Sequence, residues 1–248
     1  MHGLILVLAS LTVVTAGARV GGLTAEGHDS RIDLIWEPNG ASAYNIYRSA
    51  CAEGPFKKIN KSAHCVHIYS DFFGRNEQTY YYRVTAVSGE GIESPPSETV
   101  GATSRAMTDG ELLTSVQKAV FRYFWDYAHP VSGLARERTG SGQTVTTGGS
   151  GFGLMTIMVG AERGFVSRQD AAARVLGMVA FLQDKAQRYH GAWSHHLNGT
   201  TGATIAFAGP TDDGGDLVET SFLVQGLLTV RQYFNRSNQT EEEIRRRV

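Results

Sequence analysis

From Gly22 to about Ser104, apolar and polar positions alternate along the chain. Ile32, Leu34 and Trp36 fall on one side of a run whose other side holds Asp33 and Ile35. Tyr44 and Ile46 alternate with Asn45 and Tyr47, and Tyr80, Tyr82, Val84 and Ala86 with Tyr81, Arg83 and Thr85. A period of two sends successive side chains to opposite faces of a strand. Turn clusters such as Pro38-Asn39-Gly40 and Gly89-Glu90-Gly91 divide the runs. Short alternating strands at this spacing predict a β-sandwich, its core filled by Trp36 and tyrosines.

Past Ser94-Pro95-Pro96-Ser97 the composition turns small and polar over residues 101–108, and the period changes. Thr108 and Glu111 stand at capping-box spacing, and Leu112, Leu113, Val116, Val120, Phe124 and Tyr127 follow at helical intervals. His129-Pro130 stops that helix. A second helix is predicted from about Phe152 to Arg163, ended by Gly164. Ser167 with Asp170 opens a third, carrying Val175, Met178, Phe181 and Leu182. The fourth begins near Asp216 and carries Phe222, Leu223, Gly226, Leu227 and Phe234, and a fifth begins at Thr240-Glu241-Glu242-Glu243.

The connections between these helices alternate in length. Residues 164–166 and 235–239 are short links, whereas 128–150 and 190–215 are long and rich in glycine, threonine and polar residues. Consecutive helices joined by short links run antiparallel, so both long loops fall at the end where helices two and four begin. Long loops in compact domains usually serve function, and helix N-termini there offer free amides and a positive dipole end.

Length and charge narrow the partners. A chain of 248 residues holds one or two domains, and a formal net charge of −1 gives no reason to expect nucleic acid or an anionic membrane. The opening MHGLILVLASLTVVTAGA has an apolar run too short to span a bilayer, followed by the small residues Ala16-Gly17-Ala18. That pattern predicts a signal peptide over residues 1–18, and hence a secreted or periplasmic protein with no membrane segment in its mature form. In an oxidising compartment the two cysteines, Cys51 and Cys65, are expected to close a disulfide.

The candidate chemistry gathers at the loop end. In TDDGGDLVETSFLVQGLL, Asp216 and Glu219 have N-cap and N3 spacing, so they also suit a purely local capping role. Asp212 and Asp213 precede them, and Glu137 lies between Arg136 and Arg138. Trp193, His195 and His196 stand in GAWSHHLNGTTG. Aromatic faces, guanidinium donors and carboxylates together suit a polyhydroxylated ligand, although Trp193 equally suits packing and Glu137 an ion pair. The acids lack calcium-loop spacing and no cysteine accompanies the histidines, so no metal is expected. Gly148-Gly149-Ser150-Gly151-Phe152-Gly153 follows no predicted strand, which removes a nucleotide loop from consideration.

Two resemblances follow from particular motifs. IDLIWEP, YNIYRS and TYYYRVTAVSGEGIESPPS resemble a fibronectin type III domain over residues 19–104, with Trp36 as its core tryptophan and Tyr80 as its corner tyrosine. FRYFWDYAHPVSGLARERTG, GGSGFGLMTIMVGAERGFVSR, WSHHLNGTTG and TDDGGDLVETSFLVQGLLTVRQYF resemble, in that order, the glycoamylase-like family that includes the endo-β-1,2-glucanases of glycoside hydrolase family 144. The resemblance implies an (α/α)6 toroid over residues 105–248 that cleaves β-1,2-glucan by inversion without metal or organic cofactor, and the chain is expected to be a monomer. Carried onto this chain, it makes Glu219 the first candidate acid, with Glu137, Asp212 and Asp213 as further catalytic candidates. Trp193, His195, His196, Arg136, Arg138 and Asp216 become candidate sugar contacts. Four helices and a stub against twelve in a toroid imply that the sequence is the N-terminal portion of a longer protein. Exo-acting hydrolysis and non-catalytic glucan binding are the alternatives.

Overall fold

The computed structural model describes residues 17–248. Most of the leader-like stretch therefore lies outside the described residues. Two compact units divide between Leu112 and Leu113, and among the described residues no helix is long and apolar enough to cross a membrane.

The first unit is all β. It comprises β1 (Thr24–His28), β2 (Arg31–Ile35), β3 (Ala43–Ser49), β4 (Lys57–Lys58), β5 (Ile68–Phe72), β6 (Thr79–Val87) and β7 (Val100–Thr103). One antiparallel sheet has the order β1-β2-β5 and the other β4-β3-β6-β7. The predicted alternation places Ile32, Leu34, Trp36, Tyr44, Ile46, Tyr82, Val84 and Ala86 in one core between the sheets. A polar link crosses that core. Asp71 of β5 accepts the Tyr82 hydroxyl at 2.8 Å and the Arg48 guanidinium at 2.9 Å. The expected corner tyrosine, Tyr80, is only half-buried, edge-on to Phe73 and under Arg48. The fully buried tyrosine with a bonded hydroxyl is Tyr82.

The expected disulfide is not formed, because Cys51 and Cys65 are free, exposed thiols. The register explains why. His64 pairs with Tyr44 at the start of β3, whereas Cys51 lies beyond the end of that strand. Seven residues of extended chain span roughly 20 Å, while a disulfide needs Cα atoms within about 7 Å.

The second unit contains α1 (Asp109–Trp125), β8 (Thr144–Thr146), α2 (Thr147–Glu162), α3 (Arg168–Asp184), β9 (Arg188–Tyr189), β10 (Ala192–Trp193), β11 (His196–Asn198), α4 (Leu217–Tyr233) and α5 (Gln239–Arg247). The predicted caps at Ser167 and Asp216 are present, and the last helix is capped by Asn238 just ahead of the expected start. Helix α2 begins at Thr147, earlier than the predicted Phe152. Its glycine run has poor helix propensity, which is why the sequence pattern hides this turn. Packing overrides propensity here, since the glycines let neighbours approach. A Cβ at Gly151 would run into the backbone of α4 at Phe222 and Leu223, and one at Gly226 into Gly151. Gly153 and Gly160 likewise admit the rings of Phe124 and Phe121 from α1.

Helices α2 and α4 run parallel. Gly148 meets Glu219 where both begin, and the Tyr233 hydroxyl donates to Glu162 at 2.6 Å where both end. Leu154, Ile157, Val175, Met178, Leu182, Leu223, Val230, Phe234 and Ile244 form the core around them.

The helix glycines differ in a way that stability measurements can read. Gly151→Ala or Gly226→Ala forces the helices apart and is expected to cost about 1–3 kcal/mol. Gly177→Ala, in open space on α3, is expected to gain about 0.5–1 kcal/mol. Urea midpoints of the three variants check this ordering; equal shifts would remove the close-approach role of Gly151 and Gly226.

Candidate active site

The two long loops are not structureless. Residues 135–137, β8, β11 and residues 203–205 lie side by side as a small sheet. Arg136 pairs with Val145, Thr146 with His196, Val145 with Leu197, and Leu197 with Thr204. Period two within this sheet buries Val145 and Leu197 beneath it and turns Glu137, Thr144, Thr146 and His196 to its other face. Three-residue runs such as TVT and HLN are too short to show this period in the sequence.

Residues 193–195 stitch this sheet to two helix starts. Thr147 N–H donates to the His195 carbonyl at 3.1 Å, and the Asp216 N–H donates to the Trp193 carbonyl at 2.8 Å. The Trp193 N–H donates to Thr220 Oγ1 at 3.0 Å. The N-termini of α2 and α4, the tandem histidines and Glu137 are thereby gathered at one place.

Asp216 caps α4 through Oδ1, which accepts from the amides of Val218 at 2.9 Å and Glu219 at 3.0 Å. In a reciprocal capping box the N3 glutamate returns to the cap amide. Thr108 and Glu111 do this at the start of α1, with Glu111 Oε2 accepting the Thr108 amide at 2.8 Å. Glu219 does not. The Asp216 amide goes to Trp193 instead, and Glu219 Oε2 accepts the Gly148 amide at 3.0 Å across the helix pair. Gly148 has no room for a Cβ beside that carboxylate.

His195 and His196 stack face to face, with ring centroids 4.0 Å apart and planes 3° apart. His195 Nε2 lies 3.8 Å from Glu219 Oε2, and its Nδ1 lies 3.7 Å from Asp216 Oδ2. His196 Nε2 lies 3.3 Å from Glu137 Oε2, and its Nδ1 lies 3.8 Å from Asp212 Oδ2. Phe207 stacks on the far face of His196 at 4.4 Å. Burial pushes the His196 imidazole below its usual range, His195 adds to the effect, and Glu137 and Asp212 oppose it. Burial raises the Glu137 carboxyl, but Arg138 and His196 outweigh it and hold the group below its usual range.

Glu137, His195 and His196 bring ligand-type atoms within 4.8 Å of one another. A metal binds imidazole in the plane of the ring, at about 2.0–2.1 Å from nitrogen. Two cofacial rings 4.0 Å apart share no such point, so this geometry suits proton chemistry and stacking rather than a two-histidine metal centre.

Other expected contacts sit elsewhere. Trp193 is only 8% exposed and belongs to the core, beneath the Arg188 guanidinium, so it is a packing residue rather than a sugar platform. Arg136 donates to the carbonyls of Gly142 and Tyr127 and anchors its own loop. His196 is buried among its partners and offers no open face to a sugar. Arg138 is exposed, bonded to Glu137 at 3.1 Å and set over Phe207. Asp212 accepts the Ala208 amide at 3.0 Å, whereas Asp213 is exposed and enters none of these contacts. Phe207 was absent from the sequence candidates because a lone phenylalanine in AFAG carries no periodic signal.

No family model matches the chain. It is 47% identical over 229 residues to an exo β-1,2-glucooligosaccharide sophorohydrolase (non-reducing end) of Parabacteroides distasonis, covering 90% of this chain and 31% of that protein. A crystal structure of a β-1,2-glucanase from Parabacteroides distasonis superposes with a TM-score of 0.86 at 45% identity, over 94% of this chain and 34% of that one. An endo-β-1,2-glucanase from Chitinophaga pinensis, solved with sophorotriose and glucose, matches at 47% identity and a TM-score of 0.54, over 57% of this chain and 35% of the other. The chain is a homologue of these β-1,2-glucanases. It spans about a third of the length of the relatives it matches.

The geometry separates capping from the free carboxylate. Asp216→Ala is expected to lower stability by about 0.5–2 kcal/mol through loss of the cap. Glu219→Gln, which keeps an oxygen for the Gly148 amide, is expected to change it much less. Chemical denaturation of both variants tests this; an equal loss in Glu219→Gln would return Glu219 to a purely structural role.

Proposed function

We propose that this chain builds one wall of the cleft of a glycoside hydrolase that cleaves β-1,2-glucan with inversion at the anomeric carbon. The observation that carries the reading is the line Glu137, His196, His195, Glu219. It places two carboxylates on either side of a stacked imidazole pair, at the helix N-termini, in a homologue of β-1,2-glucanases.

Inversion needs a carboxyl that protonates the leaving oxygen and a carboxylate that activates water from the opposite side. Arg138 and His196 favour the ionised form of Glu137, which suits it to take the proton from water. Glu219 takes the acid role. The Gly148 amide occupies its Oε2, which leaves Oε1 to carry the proton. In the reaction Oε1 gives that proton to the glycosidic oxygen as the bond from carbon to oxygen breaks. Water, deprotonated towards Glu137, forms the new bond to the anomeric carbon. His195 and the exposed Arg138 stand as sugar contacts, and Asp212 approaches the same cluster from the 206–213 segment.

Helices α2 and α4 are read as neighbouring inner helices of an (α/α)6 toroid, with α1 and α3 outside them. The exposed apolar side chains of Phe152, Val159, Val218, Phe222 and Leu228 support further helices packing on this pair. The β-sandwich serves as a spacer. An exported location accords with the leader-like pattern of residues 1–18.

Exo action is the second reading. The curated relative that spans 90% of the chain is an exo-acting sophorohydrolase, whereas the endo-acting structure matches 57%. Product sizes from β-1,2-glucan separate the two: a disaccharide alone from the first minutes means exo, mixed oligosaccharides mean endo.

Glu219→Gln and Glu137→Gln in the full-length protein are each expected to lower turnover by about 10²–10⁴-fold while oligosaccharide binding persists. Single-turnover assays beside calorimetric titration with β-1,2-glucooligosaccharides measure both. Undiminished turnover in Glu219→Gln would reject the assignment, and binding without turnover in the unsubstituted protein would make it a non-catalytic glucan-binding module.

A further inference from the structure

His129 follows the end of α1 and is only 1% exposed. Its main chain folds a tight turn, accepting the Gly133 amide at 2.8 Å and donating to the Leu134 carbonyl at 2.9 Å. Its ring is fully engaged. Nδ1 faces two donors, the amides of Val131 at 3.3 Å and Ser132 at 3.5 Å. Nε2 lies 2.8 Å from Gln143 Oε1, which also accepts the Thr200 hydroxyl at 2.7 Å. Amides cannot accept, so Nδ1 is the acceptor and the proton sits on Nε2. The Gly199 amide then donates to the Gln143 carbonyl at 2.8 Å. Gly199 lies so close to the ring that a Cβ there would overlap the imidazole.

These contacts tie together three strands of the small sheet under the cleft. The turn at His129 leads directly into residues 135–137, Gln143 precedes β8, and Gly199-Thr200 follows β11. The opposite end of the same ladder presents Thr146 and His196. We propose that His129 is a positioning residue of the cleft, a neutral imidazole protonated on Nε2 alone that latches the 128–146 loop to the 190–205 loop and so fixes Glu137 against His196.

The latch works in one protonation state. A second proton on Nδ1 would point at the amides of Val131 and Ser132 and remove their acceptor. Burial holds the His129 imidazole below its usual range, the nearby Arg136 charge adds to this, and the bond to Gln143 opposes it. Among the described residues Arg136 is the charged group acting on the ring; Gln143 on the same loop, and Thr200 and Gly199 facing it from the other, are uncharged. A base with a depressed folded pKa stabilises the fold above its unfolded value, near 6.5. That contribution is lost as pH falls through the folded value.

The link to turnover rests on the hydrolase reading, while the latch itself does not. The test uses the full-length protein with ring-labelled histidine and three variants. The ¹⁵N spectrum is expected to show His129 as the neutral Nε2–H form at pH 7; an Nδ1–H or charged ring there overturns the proposal, whatever the activity. Gln143→Leu is expected to lower kcat by about 10–100-fold with KM little changed. Gln143→Glu keeps an acceptor and should restore kcat at pH 8. Its charge favours the imidazolium, so its activity should fall off at higher pH than in the unsubstituted enzyme. An acid limb left in place by Gln143→Glu, or a Gln143→Leu loss confined to KM, overturns the positioning role. Gly199→Ala, which pushes on the ring, should reproduce the kcat loss. If the unsubstituted protein does not hydrolyse glucan, the hydrolase reading falls. The latch is then judged by hydrogen exchange at the Gly199 amide, which Gln143→Leu must accelerate for the proposal to stand.

Discussion

The second unit depends on the backbone contact between α2 and α4. Helix axes ordinarily stand about 8–10 Å apart because side chains intervene. Gly151 and Gly226 remove them where the two helices cross closest. With the helices parallel and in register, both N-termini open at one level. The Gly148 amide can then reach across to Glu219, a bond between two elements that no local sequence rule would propose. Amides left unpaired at one helix start are satisfied by a side chain of the other. The cost of a glycine-rich first turn in α2 is thus offset by a carboxylate held in a fixed place.

This contact also explains which parts of the chain were legible. The β-sandwich was readable because each strand carries its own alternation, and Ile32, Leu34, Trp36, Tyr44 and Val84 all point where period two sends them. The caps at Ser167 and Asp216 were readable because capping is local. The first turn of α2 was not, because its reason lies on α4. The small sheet was hidden for a related reason. Its strands are two or three residues long, too short for periodicity to register, and tertiary pairing alone defines them. An oxidising compartment predicts a disulfide between Cys51 and Cys65 but says nothing of register, and the antiparallel pairing sets them at opposite ends of β3.

The candidate carboxylates divide by what their neighbours demand. Four helix starts present an acid at or near N3, and the structure treats them differently. Glu111 completes its box and is wholly local. Asp170 closes on Ser167, again locally. Glu241 accepts the Arg236 amide at 2.8 Å and reaches out to the half-buried Arg168 at 3.0 Å, joining α5 to α3. Glu219 leaves its cap for the Gly148 amide of α2. Capping-box spacing therefore marks a helix start reliably, but it does not say whether the glutamate stays there. What decides is whether another donor competes for the carboxylate, and at Asp216 the Trp193 carbonyl makes that competition possible by taking the cap amide itself.

The tandem histidines show how one ladder position separates two like residues. Adjacent residues within a strand project to opposite faces, yet His195 and His196 stack. His196 is the first residue of β11 and obeys the ladder, whereas His195 precedes it, its carbonyl claimed by the Thr147 amide. The alternation therefore does not apply between them, and the His195 ring folds back over its neighbour. The consequence is an ordered pair: His196 is closed in by Phe207, Glu137 and His195, and His195 faces outward between Asp216 and Glu219. Two cofacial imidazoles at 4.0 Å disfavour a double positive charge, and after burial it is His195 that helps hold the His196 imidazole below its usual range.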